Sequence, residues 1–197
     1  MLLNKYFWNN RYATSEIGWD IGRISTPLKE YFDQLKDKKT KILIPGCGNS
    51  YEAEYLFENH FTNTFVADYS EYAINNFRKR VPRFSEFKLF NNDFFDLEGK
   101  YDLIIEQTFF CAIDKRKRSD YFIKMNDLLN PNGKLVGLLF DDSLNDSYPP
   151  FGGSKSEYEE YFFPYFFPKV FEKAYNSIDS RMGRELFMIL IKKEQIK

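Results

Sequence analysis

Two glycines, a carboxylate 22 residues after the first of them, and a second carboxylate further on are the residues of this chain best placed for chemistry. The glycines lie in KILIPGCGNSYEAEYLF, Lys41 to Phe57, where an aliphatic run breaks at Gly46 and Gly48 before acidic and apolar residues resume. Glycine lets a backbone turn sharply after a strand and come close to a ligand. Asp68 ends the next strand-like run, NTFVADYS, where a carboxylate can accept two hydroxyl hydrogen bonds from a ribose. The competing role for Asp68 is that of an acid at the start of a helix capped by Ser70. Asp93 ends the third such run and can accept from an adenine amino group, with Phe94 against the ring.

A dinucleotide fingerprint asks for glycine or alanine at position 51, and Tyr51 stands there. A bulky ring at that point argues against a pyrophosphate held tightly on the helix, and so against a nicotinamide-dependent oxidoreductase. An adenosine-bearing ligand without a required diphosphate fits better, and S-adenosylmethionine is the cofactor expected.

These residues need elements to hold them. KILI reads as a buried strand, followed by a helix with Ala53, Leu56, Phe57 and His60 at helical spacing. NTFVADYS is a second strand, and Ser70 caps a helix carrying Ala73, Ile74 and Phe77. EFKLFNNDFF is expected to be a third strand and YDLIIEQTFFCAI a fourth. Ser119 is the expected cap of the next helix, which NPNG, Asn130 to Gly133, ends before a fifth strand, KLVGLLFDD. Repeated β-then-α units with continuous apolar strands mean a parallel sheet covered by helices on both faces. KVFEKAYNSI and RELFMILIKK, joined by a short link, should pair antiparallel. Thr26–Pro27 starts a helix before the sheet. The preceding YFWNNRYATSEIGWD, with Trp8, Tyr12 and Trp19, reads as a lid, so residues 1–40 are an expected helical cover on a single domain of 1–197.

Composition narrows the classes. A net charge of −1 argues against nucleic acid as the main partner. The basic run KRKR, Lys115 to Arg118, is expected on a solvated face. Cys47 and Cys111 show no metal-type spacing, and reduced thiols in the cytoplasm fit them. The one histidine, His60, leaves no basis for a Ser-His-Asp triad or a His-rich metal site, so no metal is expected. No apolar run has the length of a membrane span, so no membrane partner is expected either.

Six stretches in order, FWNNRY with IGWDIGRISTPL, LIPGCGNSYE, NDFFDL, YDLIIEQTFFCAI, PPFGGSKSEYEEYF and GRELFMIL, resemble the thiopurine methyltransferase family with its halide and thiol methyltransferase branch, within the class I S-adenosylmethionine-dependent methyltransferases. The resemblance covers nearly the whole chain. It implies a Rossmann-like, seven-stranded, mostly parallel sheet with an antiparallel last strand and an N-terminal segment folding over the cofactor. It implies that Trp8 and Trp19 cover the cofactor, with Tyr12 where the family usually has another tryptophan. Gly46, Asp68, Asp93, Phe94 and Gln107 match cofactor-contacting positions, and Gly48 is expected to join them from its place in the glycine loop. The implied reaction is in-line transfer of a methyl group to a small soft nucleophile: a thiol, hydrosulfide, a thiopurine or a halide.

Within that reaction Asp20 or Asp141 could assist deprotonation and Arg23 could attract an anion. The alternative for all three is a salt bridge or helix cap. Phe109, Phe110, Tyr148 and Phe151 are expected to shape the acceptor pocket. Transfer to oxygen, nitrogen or a metalloid oxyanion, or cofactor binding without turnover, are the other readings. The expected partner is a small-molecule acceptor, and the expected assembly a monomer or weak homodimer.

Overall fold

Where aliphatic side chains run without interruption, the chain forms its most buried strands. The computed structural model describes residues 2–194. Backbone contacts divide the chain into two compact units, Leu2–Leu97 and the residues from Glu98 onward.

In the first unit, β1 (Ile42–Pro45) is buried along its whole length. It pairs in parallel with β2 (Thr64–Ala67), Ile42 opposite Thr64 and Pro45 opposite Ala67. β3 is shorter than its sequence predicts. EFKLFNNDFF yields only Leu89–Phe90 as strand, paired in parallel with β2. Glu86–Lys88 and Phe94–Asp96 are instead 3-10 turns, the second started by Asp93, whose side chain accepts from Phe95 N at 3.0 Å. A local side-chain bond to the backbone competes with the sheet ladder and wins here.

Four helices join this unit. α1 (Lys5–Ala13) begins at Asn4, which accepts from Phe7 N at 3.0 Å, and it buries no residue. α2 (Thr26–Asp33) starts at Thr26–Pro27 and buries Pro27, Leu28 and Phe32. α3 (Tyr51–Glu58) follows the glycine loop and buries Glu52, Ala53 and Leu56, while His60 lies exposed beyond its end. α4 (Glu71–Arg80) is capped by Ser70 and buries Ala73, Ile74 and Phe77, as its spacing predicts.

In the second unit, β4 (Tyr101–Gln107) pairs in parallel with β5 (Leu129–Phe140). The register jumps from Tyr101 opposite Leu129 to Leu103 opposite Lys134, so the NPNG stretch bulges out, with Asn132 at φ +60°. β6 (Phe166–Lys173) and β7 (Glu185–Lys192) pair antiparallel, and β7 runs antiparallel to β5. β6 is an edge strand with Pro168 inside it and a register shift between Pro168 and Val170. The strand order is β3-β2-β1-β4-β5-β7-β6; β1, β2 and β3 run parallel to one another, and among β4 to β7 only β7 is reversed.

α5 (Arg118–Leu128) and α6 (Lys155–Phe162) complete the second unit. Ser119 does not cap α5. Asp114 accepts from Arg116 N at 3.0 Å and starts a 3-10 turn, Lys115–Lys117, so that the helix is capped at Lys117 rather than at Ser119. The KRKR run is therefore not one solvated face: Arg116 is exposed, but Arg118 is fully buried. Among the described residues no helix is long and apolar enough to cross a membrane.

Candidate active site

Gly46 and Gly48 both sit at positive φ, +56° and +55°, so the loop after β1 turns where an ordinary side chain would be strained. Ser50 at the end of the same loop is also left-handed, at φ +61°, and its buried Oγ has no hydrogen-bond partner among the described residues. The loop is tied down by Cys47 N to Ala67 O at 3.1 Å and by Ser50 N to Cys47 O at 2.8 Å. Tyr51 turns away to lie under the Arg80 guanidinium, 4.4 Å from its ring centre.

Asp68 is the anchor of this loop. Gly48 N donates to its Oδ2 and Ser70 N to its Oδ1, both at 2.8 Å. Two backbone donors fix the carboxylate yet leave one lone pair on each oxygen, an arrangement suited to two neighbouring hydroxyls. Burial pushes its pKa up to about 6, against the lowering effect of the Ser70, Gly48 and Tyr69 backbone N–H groups.

Above the loop stand three rings. Trp19 meets Trp8 edge to face at 5.7 Å and Tyr12 likewise at 5.8 Å. A β-carbon on Gly48 would lie 2.9 Å from Tyr12 Oη, so the phenol rests on the side-chain-free face of the loop. Burial, and then the charge of Asp68, raise the Tyr12 pKa far above its usual value, keeping the phenol a neutral donor. Asp93 and Phe94 follow β3, with Phe94 buried against Phe95 at 5.1 Å. Tyr69, between Asp68 and Ser70, has its pKa raised by burial first and by the charge of Asp93 second.

Amides that carried no signal in the sequence hold this region together. Asn9 Oδ1 accepts from Ser70 Oγ at 2.8 Å and from Glu71 N at 3.0 Å, fastening α1 to the start of α4. Asn91 accepts from Lys5 Nζ at 2.9 Å and donates to the carbonyls of Asp68 and Tyr69. Asp20 accepts from Gly22 N at 2.6 Å and from the Asn49 amide, which in turn accepts from Asn76 at 3.1 Å. Arg23 is exposed and makes no ion pair among the described residues.

The other expected residues belong to the second unit. Gln107 ends β4 and is half-buried. Phe110 is almost fully buried, its ring 4.8 Å from Tyr121, 5.4 Å from Tyr158 and 4.8 Å from the Arg118 guanidinium. Phe151 is buried as well, its N–H donating to Cys111 O at 2.7 Å. Of the four expected pocket rings, only Phe109 and Tyr148 keep appreciable exposed surface, and Phe110 and Phe151 are core. Asp141 is engaged by Lys173 at 2.7 Å and by Lys155 N at 3.1 Å. Burial would raise its pKa, but these partners outweigh burial and lower it, which makes Asp141 a poor proton acceptor.

Arg118 is the residue that sequence reasoning missed here. It donates to Glu157 at 2.7 Å and to Gly152 O at 2.8 Å, and so fastens the PPFGG loop to α5 and α6.

The Thiopurine S-methyltransferase family model matches residues 3–194. The chain belongs to this family. It is 29% identical over 164 residues to a probable thiol methyltransferase 2 of Arabidopsis thaliana, covering 80% of this chain and 71% of that one. It is 25% identical over 174 residues to a thiopurine S-methyltransferase of Vibrio vulnificus, covering 79% and 80%. In fold it is similar to the 1,6-didemethyltoxoflavin-N1-methyltransferase of Burkholderia thailandensis, solved with S-adenosylhomocysteine, at a TM-score of 0.75, 14% identity and 96% and 87% coverage. This family member is an S-adenosylmethionine-dependent methyltransferase with a seven-stranded class I sheet. The glycine loop, the held but unsaturated Asp68 carboxylate and the rings above them fit that cofactor.

Proposed function

We propose that this enzyme methylates a small soft nucleophile, with sulfur in thiols, hydrosulfide or thiopurines as the leading acceptor and halide as the second. The reading is carried by the likeness in sequence to a thiol methyltransferase and a thiopurine S-methyltransferase. S-Adenosylmethionine supplies an electrophilic methyl group that a polarisable lone pair can take by in-line displacement.

The residues of this chain bind and orient. Asp68 takes the ribose hydroxyls on its two remaining lone pairs, with Gly46 and Gly48 giving the backbone room. Asp93, Phe94 and Gln107 contact the rest of the nucleoside. Trp8, Tyr12 and Trp19 exclude water and attract the sulfonium by their ring faces, about 0.5–2 kcal/mol each. A thiol with an ordinary pKa near 8.5 is already a few per cent thiolate at neutral pH, so the demand on a general base is small. Asp20 is the carboxylate proposed to assist it and Arg23 the cation proposed to draw an anionic acceptor in. Asp141, paired with Lys173, is the least suited of the three. Phe109 and Tyr148 offer the apolar surface proposed to meet the acceptor, with Phe110 and Phe151 as their backing. The acceptor is proposed to be a free small molecule, the enzyme a cytoplasmic monomer or weak homodimer.

Methyl transfer to hydrosulfide, small thiols, thiopurines and iodide, followed by product mass spectrometry, tests the reading. Turnover of a sulfur acceptor is expected, and no turnover of any sulfur or halide acceptor would overturn it.

A further inference from the structure

Glu106 is a carboxylate with no exposed surface, one residue from the end of a mostly apolar strand, and the proposed mechanism does not use it. Its Oε1 accepts from Phe109 N at 2.7 Å and from Phe110 N at 2.9 Å. Its Oε2 accepts from Tyr121 Oη at 2.5 Å. The residue between the strand and those two N–H groups is Thr108, which sits at φ +54°. A β-branched residue in the left-handed region is strained and persists only where its surroundings impose it. Gly137 is the register partner of Glu106 on β5, and a β-carbon there would fall inside the Glu106 backbone oxygen and Cβ. A strained turn, two converging backbone donors and a facing glycine all serve one side chain.

We propose that Glu106 is a positioning residue for methyl transfer: its carboxylate clamps the Thr108–Phe110 turn so that Phe109 is presented to the methyl acceptor. This rests on the reading of Phe109 as an acceptor-facing residue. The clamp holds both residues of the Phe pair by the same oxygen: Phe110 is buried, while Phe109, its ring 6.0 Å from Tyr121, stays half-buried and keeps exposed surface. It also predicts a reporter. Cys111 Sγ bonds Thr108 O at 3.2 Å, and burial and the charge of Glu106 push its thiol up to about 12, so it is inert while the turn is closed.

Three measurements on the full-length protein test this for Glu106→Ala and Glu106→Gln: S-adenosylhomocysteine affinity by calorimetry, Cys111 alkylation by peptide mass mapping, and kcat and KM for a small thiol. Glu106→Ala should keep cofactor affinity, expose Cys111 to alkylation and lose about 100-fold in kcat/KM for the thiol, the size expected of a 1 Å misplacement. Glu106→Gln keeps an oxygen for both N–H groups and should restore most of that loss and re-protect Cys111.

Should Glu106→Ala not fold, Tyr121→Phe, which removes one donor only, should give the same pattern at a few-fold. A Glu106→Gln enzyme as impaired as Glu106→Ala, with Cys111 still protected, would overturn the clamp in favour of a proton-accepting role. Parallel loss of cofactor binding would reduce Glu106 to a fold-wide support, and unchanged kinetics with a protected Cys111 would also sink the proposal. A wild type that methylates no thiol fails the acceptor reading instead, and the alkylation pattern then decides the clamp by itself.

Discussion

The glycine-loop region and the Thr108–Phe110 turn both carry a carboxylate fixed by two backbone N–H groups, yet they are built on opposite principles. Around Asp68 the supports are small, polar and partly exposed, and α1, which carries Trp8 and Tyr12, buries nothing and hangs on Asn9 and Lys5. Around Glu106 the supports are rings and a buried guanidinium, and three of the carboxylate's roughly four acceptor sites are taken by the protein itself. The first carboxylate is poised to exchange partners, and the second is locked. A region that must admit and release a ligand is drawn from the less stable end of a structure, whereas a region that only presents a surface can be buried deep.

The comparison breaks if damage to the locked region is cheap. Gly137→Val drives a side chain into the Glu106 backbone and should cost on the order of 4 kcal/mol, seen as a large fall in Tm or loss of soluble protein. Arg118→Ala orphans the Gly152 carbonyl and frees Glu157, and about 3 kcal/mol should be lost in chemical denaturation. Asp68→Ala should cost less stability than either, because relief of a buried charge offsets the two N–H groups left unpaired, and should weaken S-adenosylhomocysteine by about 2 kcal/mol, roughly 30-fold in Kd by calorimetry.

Acidity acts on stability and on cofactor binding with opposite signs. Glu106 is pushed up to about 7 and Asp68 to about 6, both by burial, so between about pH 4 and their folded values these two groups hold more protons in the folded chain than in the unfolded one. Each ionised carboxylate therefore costs stability, the cost is complete above its folded pKa, and it vanishes below the unfolded value. The apo protein should gain up to about 1.4 kcal/mol per pH unit for Glu106 as pH falls from 7 towards 5, and Glu106→Gln should flatten that slope in a thermal melt. Over the same range cofactor affinity should fall, because protonated Asp68 loses an acceptor. The smallest expected effect is Asn9→Ala, about 1 kcal/mol confined to α1, read as faster amide exchange there with the sheet unaffected.

Much of the frame was legible because it depends on neighbours in sequence. The βα alternation, the Ser70 cap, the positive-φ glycines and the antiparallel β6–β7 pair all follow from local pattern. The third strand was overread because aromatic residues favour strands while the Asp93 side chain quietly favours a turn. Arg118 was hidden because charge counting sees KRKR alone, whereas the carbonyls that bury it come from Phe151 and Gly152, more than thirty residues on. Asn9, Asn49 and Asn91 act over long separations through neutral amides, for which periodicity offers no signal. Glu106 did leave a trace: an acid inside YDLIIEQ must find buried donors, and the TFF that follows supplies two.

The rim of the sheet has its own logic. β6 leaves one side of its backbone unpaired and shows Phe167 to solvent, a combination that invites another chain to add a strand. Pro168 has no N–H to offer within this strand, the register shift beside it breaks the spacing, and Lys169 and Lys173 would bring like charges together in an approaching copy. A border built this way is a poor template for the addition of another strand.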